Sequence, residues 1–347
     1  MKVFYSNVHR SHAPGWYVAD GAVRQCPEVA ARVEVIQEAL RDVRGMEMRE
    51  TGGVDPWAAI RGVHEAGYLE YLRTIHGIWA AEFGAGNVLP DTFVPRREGM
   101  RRPAKPSAQA GYYCFDMAAP ITAGTWEAAV GAAACAVSAA QALVDGERAA
   151  YALCRPPGHH AGRDYCGGFC YLNNVAIAAE HLRLAGKRRV AILDVDYHHG
   201  NGTQDIFYAR EDVLFVSIHA DPETQYPYFW GRAEERGVGV SEGFTLNLPL
   251  RRGASEGEWL AALDVAMERV RAFGADVLLV SLGVDTHERD DVGDFQLTRA
   301  GFAEMARRLH ALELPTAFVQ EGGYNLKEIG PSVAAVLSTF EELSSNG

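Results

Sequence analysis

Four short segments hold most of the residues in this sequence that could do chemistry. Val190–Leu193 is an apolar run that breaks into Asp194, Asp196, His198 and His199 ahead of a Gly200-Asn201-Gly202 turn. Alternation along an extended chain puts Asp194, Asp196 and His198 on one side, with Val195 and Tyr197 on the other. Carboxylates and an imidazole converging at a strand end are costly to bury unless a cation or hydrogen bonds compensate them. A metal site is the economical reading, and a hydrogen-bonded loop is the plainer alternative. The other three segments are Arg155–His160 (RPPGHH), Gly283-Val284-Asp285 and Glu321–Tyr324 (EGGY).

Together these residue types suit hydrolysis of an unactivated carbonyl compound. Asp196, His198 and Asp285 would supply three ligands and leave a position for water and substrate, the pattern of catalytic zinc. Two carboxylates and one histidine make a harder set than three histidines, so Fe(II) competes with zinc. Water beside such an ion becomes a nucleophile at neutral pH. His159 and His160 offer a general base and a general acid next to it, and Asp194 can fix the tautomer of one of them. Tyr324, behind two glycines, can place a hydroxyl donor where an oxyanion develops. His199 and His219 read as supporting or core histidines, and His287 as a rim group.

Each segment follows an apolar run, which says what must position it. Runs at 150–154, 190–194, 213–218, 276–282 and 315–320 read as buried strands, as does the N-terminal Met1–Ser6. Amphipathic patterns predict helices over 27–43, 66–84, 124–145, 172–185, 203–209, 299–311 and 331–343. Ser255 and Glu258 predict a capping box that opens another. Residues 7–26 and the polar stretch up to 243 read as irregular. Strands alternating with helices predict a single α/β domain, mainly a parallel sheet of about eight strands with helices on both faces. In such sheets ligands bind outside the carboxyl ends of the strands, where all four segments can meet.

Composition narrows the function classes. A formal net charge of −12 lacks the basic footprint of a nucleic-acid binder. No run approaches the roughly 18 apolar residues of a membrane span, and the first residues lack a signal-peptide pattern. Six scattered cysteines suit reduced, mostly buried thiols in a cytoplasmic protein. Residues 84–110 break the pattern: rich in Gly and Pro, they carry Arg96, Arg97, Arg101, Arg102 and Lys105. A loop of that length is a surface excursion, a lid or a subunit contact.

The runs RPPGHHAG (155–162), GGFCYLNN (167–174), DVDYHHGNG (194–202), SLGVDT (281–286) and EGGY (321–324) resemble the histone deacetylase superfamily, in that family's order over most of the chain. GYYCFDMAAPITAGTW (111–126) and the insertion before it are similar to its bacterial acetylpolyamine amidohydrolase branch. Tyr112-Tyr113 stands where histone-directed members carry an aspartate that holds the substrate backbone, which favours a small amide over a protein tail.

The resemblance implies an arginase-like α/β fold and zinc-dependent amide hydrolysis, with Asp196, His198 and Asp285 as ligands. It makes His160 the general base and acid, has His159 with Asp194 assist electrostatically, and has Tyr324 polarise the carbonyl. Asn201 stands where some members pair an aspartate with the second histidine. Gly168 and Phe169 would line the substrate tunnel with Tyr226 opposite, and Tyr17 and Asp116 would lie at its rim. Structural potassium near Ser217 and a homodimer or higher homo-oligomer built through the 84–110 insertion are also implied.

A polyamine substrate calls for acidic or aromatic groups at the rim. Positions where a polyamine enzyme of this branch carries carboxylates appear here as Tyr17, Ser107 and Ala118, while Asp116, Glu288, Asp290 and Asp291 offer replacements. The favoured reading is an amidohydrolase removing an acetyl or similar acyl group from a small primary amine. Its alternatives are the same chemistry on another small amide or an acyl-lysine, and a metal-binding sensor without turnover.

Overall fold

The computed structural model describes residues 1–95 and 99–346. Arg96 and Arg97 of the basic insertion lie outside the described residues. In chain order the strands are β1 (Lys2–Tyr5), β2 (Trp16–Ala19), β3 (Ala22–Gln25), β4 (Glu47–Glu50), β5 (Ala149–Ala152), β6 (Val190–Asp194), β7 (Val213–Ala220), β8 (Thr245–Leu250), β9 (Val277–Leu282) and β10 (Thr316–Gln320). The helices are α1 (Ala31–Arg41), α2 (Trp57–Val63), α3 (Ala66–Phe83), α4 (Ala110–Tyr113), α5 (Thr125–Val144), α6 (Asn174–Leu184), α7 (Asn201–Phe207), α8 (Glu256–Phe273), α9 (Arg299–His310) and α10 (Ile329–Asn346).

Eight strands form one sheet in the order β4-β1-β5-β10-β9-β6-β7-β8, and its pairings are parallel. Side-chain alternation explains why the central strands are apolar throughout. Val190 and Ile192 of β6 enter a core shared with α2, α3, α5 and α6, while Ala191 and Leu193 enter the opposite core under α1, α8, α9 and α10. Alanines of α5 let that helix lie close to β5 and α6. By length and composition α5 could cross a membrane, but most of its residues are buried inside the fold. The Ser255–Glu258 capping box forms at the start of α8 as expected.

The segments β5, β10, β9 and β6 are consecutive in the sheet, so the four chemistry-bearing segments leave from adjacent strand ends. Elements β2, β3, β4, β8, α2 and α4 depart from the sequence reading. The 7–26 stretch contains the β2–β3 hairpin, whose residues are largely exposed and so carry no core alternation. Glu47–Glu50, three of them charged, pairs as an edge strand beside β1. The opposite edge is β8, paired with β7. The 84–110 stretch is tied down by a Val88–Ile121 bridge and by a Lys105–Glu82 ion pair.

Candidate metal centre and catalytic pocket

The end of β6 and the loop after β9 bring Asp196, His198 and Asp285 together, with one ligand atom of each within 4.8 Å of the others. His198 Nδ1 lies 3.3 Å from Asp196 Oδ1 and 3.3 Å from Asp285 Oδ2. Ligand atoms of a tetrahedral ion with bonds of about 2.0–2.1 Å are roughly 3.3–3.4 Å apart, so the spacing suits one divalent cation. Backbone amides aim the carboxylates: Gly322 N–H donates to Asp196 Oδ2 (2.8 Å) and Tyr197 N–H to Asp285 Oδ1 (2.9 Å). Asp285 Oδ2 is buried and accepts no well-formed hydrogen bond, although His198 Nδ1 lies 3.3 Å away, a costly state for a carboxylate oxygen that a bound ion would relieve. A Cβ on Gly322 would run into both carboxylates. Donor chemistry, spacing and the poorly satisfied Asp285 oxygen all fit a divalent ion.

Without an ion, protons balance these charges. Burial, reinforced by the charge of Asp196, pushes the Asp285 carboxyl up to about 7. Burial alone would lower His198, but its hydrogen bond to Asp196 and the charge of Asp285 lift it to about 9. Binding a cation would therefore release protons from this cluster.

The two histidines after β5 are separated electrostatically. His159 Nδ1 donates to Asp194 Oδ2 at 3.0 Å; burial opposes its charge, yet Asp196 and Asp194 raise it to about 10. His160 is held well below its ordinary value by burial and by the neighbouring His159 and His198. Its Nδ1 lies 2.7 Å from Asn201 Oδ1, the amide oxygen at the start of α7. An amide oxygen only accepts, so Nδ1 carries the proton and Nε2 keeps its lone pair. His160 is thus the neutral imidazole and His159 the charged one. Asp194 pairs with the first histidine and Asn201 with the second.

Tyr324 is buried, its ring 5.8 Å from Phe169 and 5.0 Å from the Arg32 guanidinium carbon. Burial pushes its phenol well above the ordinary value, which keeps it a donor. Tyr17 meets Phe169 edge-on at 5.2 Å, and Tyr226 stands edge-on to His160 at 5.0 Å. Gly168 has φ +53, and a Cβ there would strike the His160 ring and the Tyr226 hydroxyl, so only glycine suits this position.

Several acids expected at the rim are otherwise engaged. Asp116 accepts from Ala118 N–H (2.9 Å), Gly168 N–H (2.9 Å) and the Tyr226 hydroxyl (2.8 Å); it clamps two walls of the pocket and presents no free carboxylate to an amine. Asp290 holds the backbone of Tyr324 and Asn325. Glu288 faces Arg289 at 3.6 Å, and Asp291 is exposed. His287 is buried rather than on the rim, stacked on Phe302. His199 and His219 are buried and hydrogen-bonded to Gln204 and to Ser217 and Gly231. Ser217, the residue linked to potassium, gives its hydroxyl to that His219 contact at 2.8 Å.

Sequence reasoning missed Arg32 and its network. The guanidinium of Arg32 in α1 donates to the carbonyls of Glu321 and Gly323 and pairs with buried Glu28 at 2.9 Å. Arg155 pairs with the same carboxylate. A Glu–Arg pair four residues apart usually marks an exposed helix face, so only the otherwise apolar neighbours Val33 and Ile36 hinted at burial. Arg32→Met should cost about 3–5 kcal/mol, because it leaves Glu28 under-compensated in the interior. A urea unfolding midpoint equal to wild type would contradict this.

A parallel α/β sheet carrying an Asp-His-Asp centre, two histidines and a tyrosine at adjacent strand ends defines a metal-dependent hydrolase class. Residues 26–340 match the histone deacetylase domain, and the chain belongs to that family. It is 44% identical to acetylpolyamine amidohydrolase 1 of Pseudomonas aeruginosa, over 98% of this chain and 99% of that one. It is 42% identical to the acetylpolyamine amidohydrolase of Mycoplana ramosa, over 97% and 98% of the two. The crystal structure of an acetylpolyamine aminohydrolase from Burkholderia pseudomallei superposes with a TM-score of 0.94 at 40% identity, covering 99% of both chains. The chain is accordingly an enzyme of the deacetylase and amidohydrolase type, and its family implies a divalent metal.

Proposed function

We propose that this enzyme is a zinc-dependent, cytoplasmic amidohydrolase that removes acetyl or similar acyl groups from small primary amines, with acetylpolyamines as the first substrate class. The observation that carries this is the convergence of Asp196, His198 and Asp285 ligand atoms within 4.8 Å of one another, next to a neutral His160. Full-length similarity to acetylpolyamine amidohydrolases supports the substrate class, and six unpaired buried cysteines suit a reducing compartment. Zinc fits a three-ligand centre, with Fe(II) the competing ion for its two carboxylates.

Asp196, His198 and Asp285 would hold a divalent ion, which would supply Lewis acidity toward the amide carbonyl and acidify water. His160 Nε2 takes the proton of the attacking water. Its partner Asn201 Oδ1 accepts a hydrogen bond from Nδ1–H, and that proton stays on the ring. Positive His159, anchored by Asp194, stabilises the negative charge that builds up next to it. The Tyr324 hydroxyl donates to the developing oxyanion. As the C–N bond breaks, His160 returns its proton to the leaving amine, and acetate and the free amine result. Gly168, Phe169, Tyr226 and Tyr17 hold the alkyl chain, while Asp116 keeps Gly168 and Tyr226 in place.

Tyr324→Phe should lower kcat by roughly 10²–10³-fold with little change in KM, as for loss of one oxyanion donor. A change confined to KM would assign the hydroxyl to ground-state binding instead.

The same chemistry on another small amide or an acyl-lysine is the second reading. It is favoured by the neutral Tyr17 and Ala118, which pack with Phe169 and Tyr324, and by the commitment of Asp116 and Asp290 to hydrogen bonds. The deciding measurement is kcat/KM for acetylputrescine, acetylcadaverine, acetylspermidine, acetyl-lysine and a neutral alkylacetamide with zinc-loaded enzyme. Preference for the acetylated diamines upholds the polyamine assignment; equal use of neutral substrates removes it and keeps the hydrolase. No turnover of any of them would leave the metal-binding sensor. The apolar groove between α3 and the insertion, lined by Trp79, Phe83, Phe93 and Met100, supports a homodimer through that segment, to be read by light scattering.

A further inference from the structure

A second group of metal-ligating side chains lies next to the first. His159, Cys170 and Glu321 each bring one ligand atom within 4.8 Å of the other two, and all three are buried. They come from the ends of β5 and β10 and from the tight Gly167–Cys170 turn, closed by reciprocal backbone hydrogen bonds. Glu321 is fixed through Oε2, which accepts from Gly158 N–H (2.7 Å) and His159 N–H (3.1 Å). Its other oxygen, Oε1, is buried and has no hydrogen-bond partner. An acceptor held rigidly in the interior with nothing to accept from is costly, and a cation would remove that cost.

The remaining donors are available. Asp194 holds His159 Nδ1, which leaves Nε2, 3.8 Å from Asp196 Oδ1. The Cys170 thiol makes a 3.3 Å contact with the Gly168 carbonyl. One nitrogen, one sulfur and one oxygen form a softer set than Asp196, His198 and Asp285, and such a set suits zinc.

We propose that His159, Cys170 and Glu321 form a second, inhibitory zinc site, filled when zinc exceeds what the catalytic centre takes up. Coordination displaces the protons that these three donors carry, which pass to solvent, and no electron is transferred. With its ring nitrogen bound to the second ion, 3.8 Å from Asp196 Oδ1, His159 can no longer donate toward the reacting carbonyl. The inhibition, though not the binding, rests on the catalytic role proposed for His159.

Sulfur separates the two sites experimentally, because the Asp-His-Asp centre has none. Metal-free enzyme is titrated with cobalt(II) and followed by near-ultraviolet absorbance, alongside turnover with increasing zinc. The first equivalent should bring activity without a thiolate-to-cobalt charge-transfer band; further cobalt should produce the band, and excess zinc should cut turnover roughly tenfold or more. Cys170→Ala should lose the band and the excess-zinc inhibition while keeping its basal activity. Cys170→Ser serves the same comparison if the alanine variant folds poorly.

No band in wild-type protein overturns the site. A band that persists in the Cys170 variants assigns the sulfur elsewhere, to the Cys114–Cys166 pair 3.2 Å apart, and overturns it equally. Inhibition unchanged in those variants overturns the inhibitory role. A Cys170-dependent band in a protein that hydrolyses no acetylamine would uphold the site and defeat the proposed function instead.

Discussion

Asp285→Ala protein is expected to purify with little bound zinc and with deacetylating activity at background. The substitution removes one of three ligands, and a Lewis acid contributes several kcal/mol of transition-state stabilisation, so the loss should be roughly 10³-fold or more. Metal analysis and kcat/KM on one preparation test both halves, and full zinc occupancy would contradict the ligand assignment. The same site predicts an opposite effect on stability.

In metal-free protein the Asp285 carboxyl titrates near 7 because of burial, against about 3.9 in an unfolded chain. Between those values the folded state binds more protons than the unfolded one, so its stability falls as pH rises through that window. Metal-free Asp285→Ala should therefore exceed metal-free wild type in unfolding midpoint at pH 8, and the advantage should shrink at pH 4. A parent and variant that differ equally at both pH values would refute this account.

His160→Ala should keep its zinc and lose about 10²–10⁴ in kcat, the usual worth of a general acid–base group. Metal retained with turnover lost separates a proton carrier from a ligand. Partial rescue by added imidazole would strengthen the assignment, and near-wild-type turnover would end it. Since burial and two neighbouring imidazoles depress His160, the acid limb of kcat/KM should fall below the pH of an ordinary histidine.

What the sequence made legible follows from how each residue meets its surroundings. Strands β5, β6, β9 and β10 are buried on both faces, so they appear as continuous apolar runs, and the departures at their ends are easy to see. Asp196, His198 and Asp285 stand directly after such runs, and His159 and His160 a few residues past another. Strand β4 is a charged edge segment paired on one side, and the β2–β3 hairpin is mostly exposed; neither has a core to imprint a pattern. Arg32 was hidden because a sequence displays a charge without its partners. For the same reason Asp116 read as a recognition carboxylate, although hydrogen bonds to Gly168 and Tyr226 give it a structural task.

The Arg32 hydrogen bonds to Glu321 and Gly323 join positions 289 and 291 residues apart. Contacts of such sequence separation form late, since their loop-closure entropy precedes any gain. During synthesis, helix α1 leaves the ribosome long before its partners exist. Until the EGGY segment has emerged, Arg32 and Glu28 must wait in solvent or in a provisional arrangement. A nascent chain arrested before residue 321 would therefore lack both Tyr324 and the loop that seats it, which makes competence for catalysis one of the last properties this polypeptide acquires.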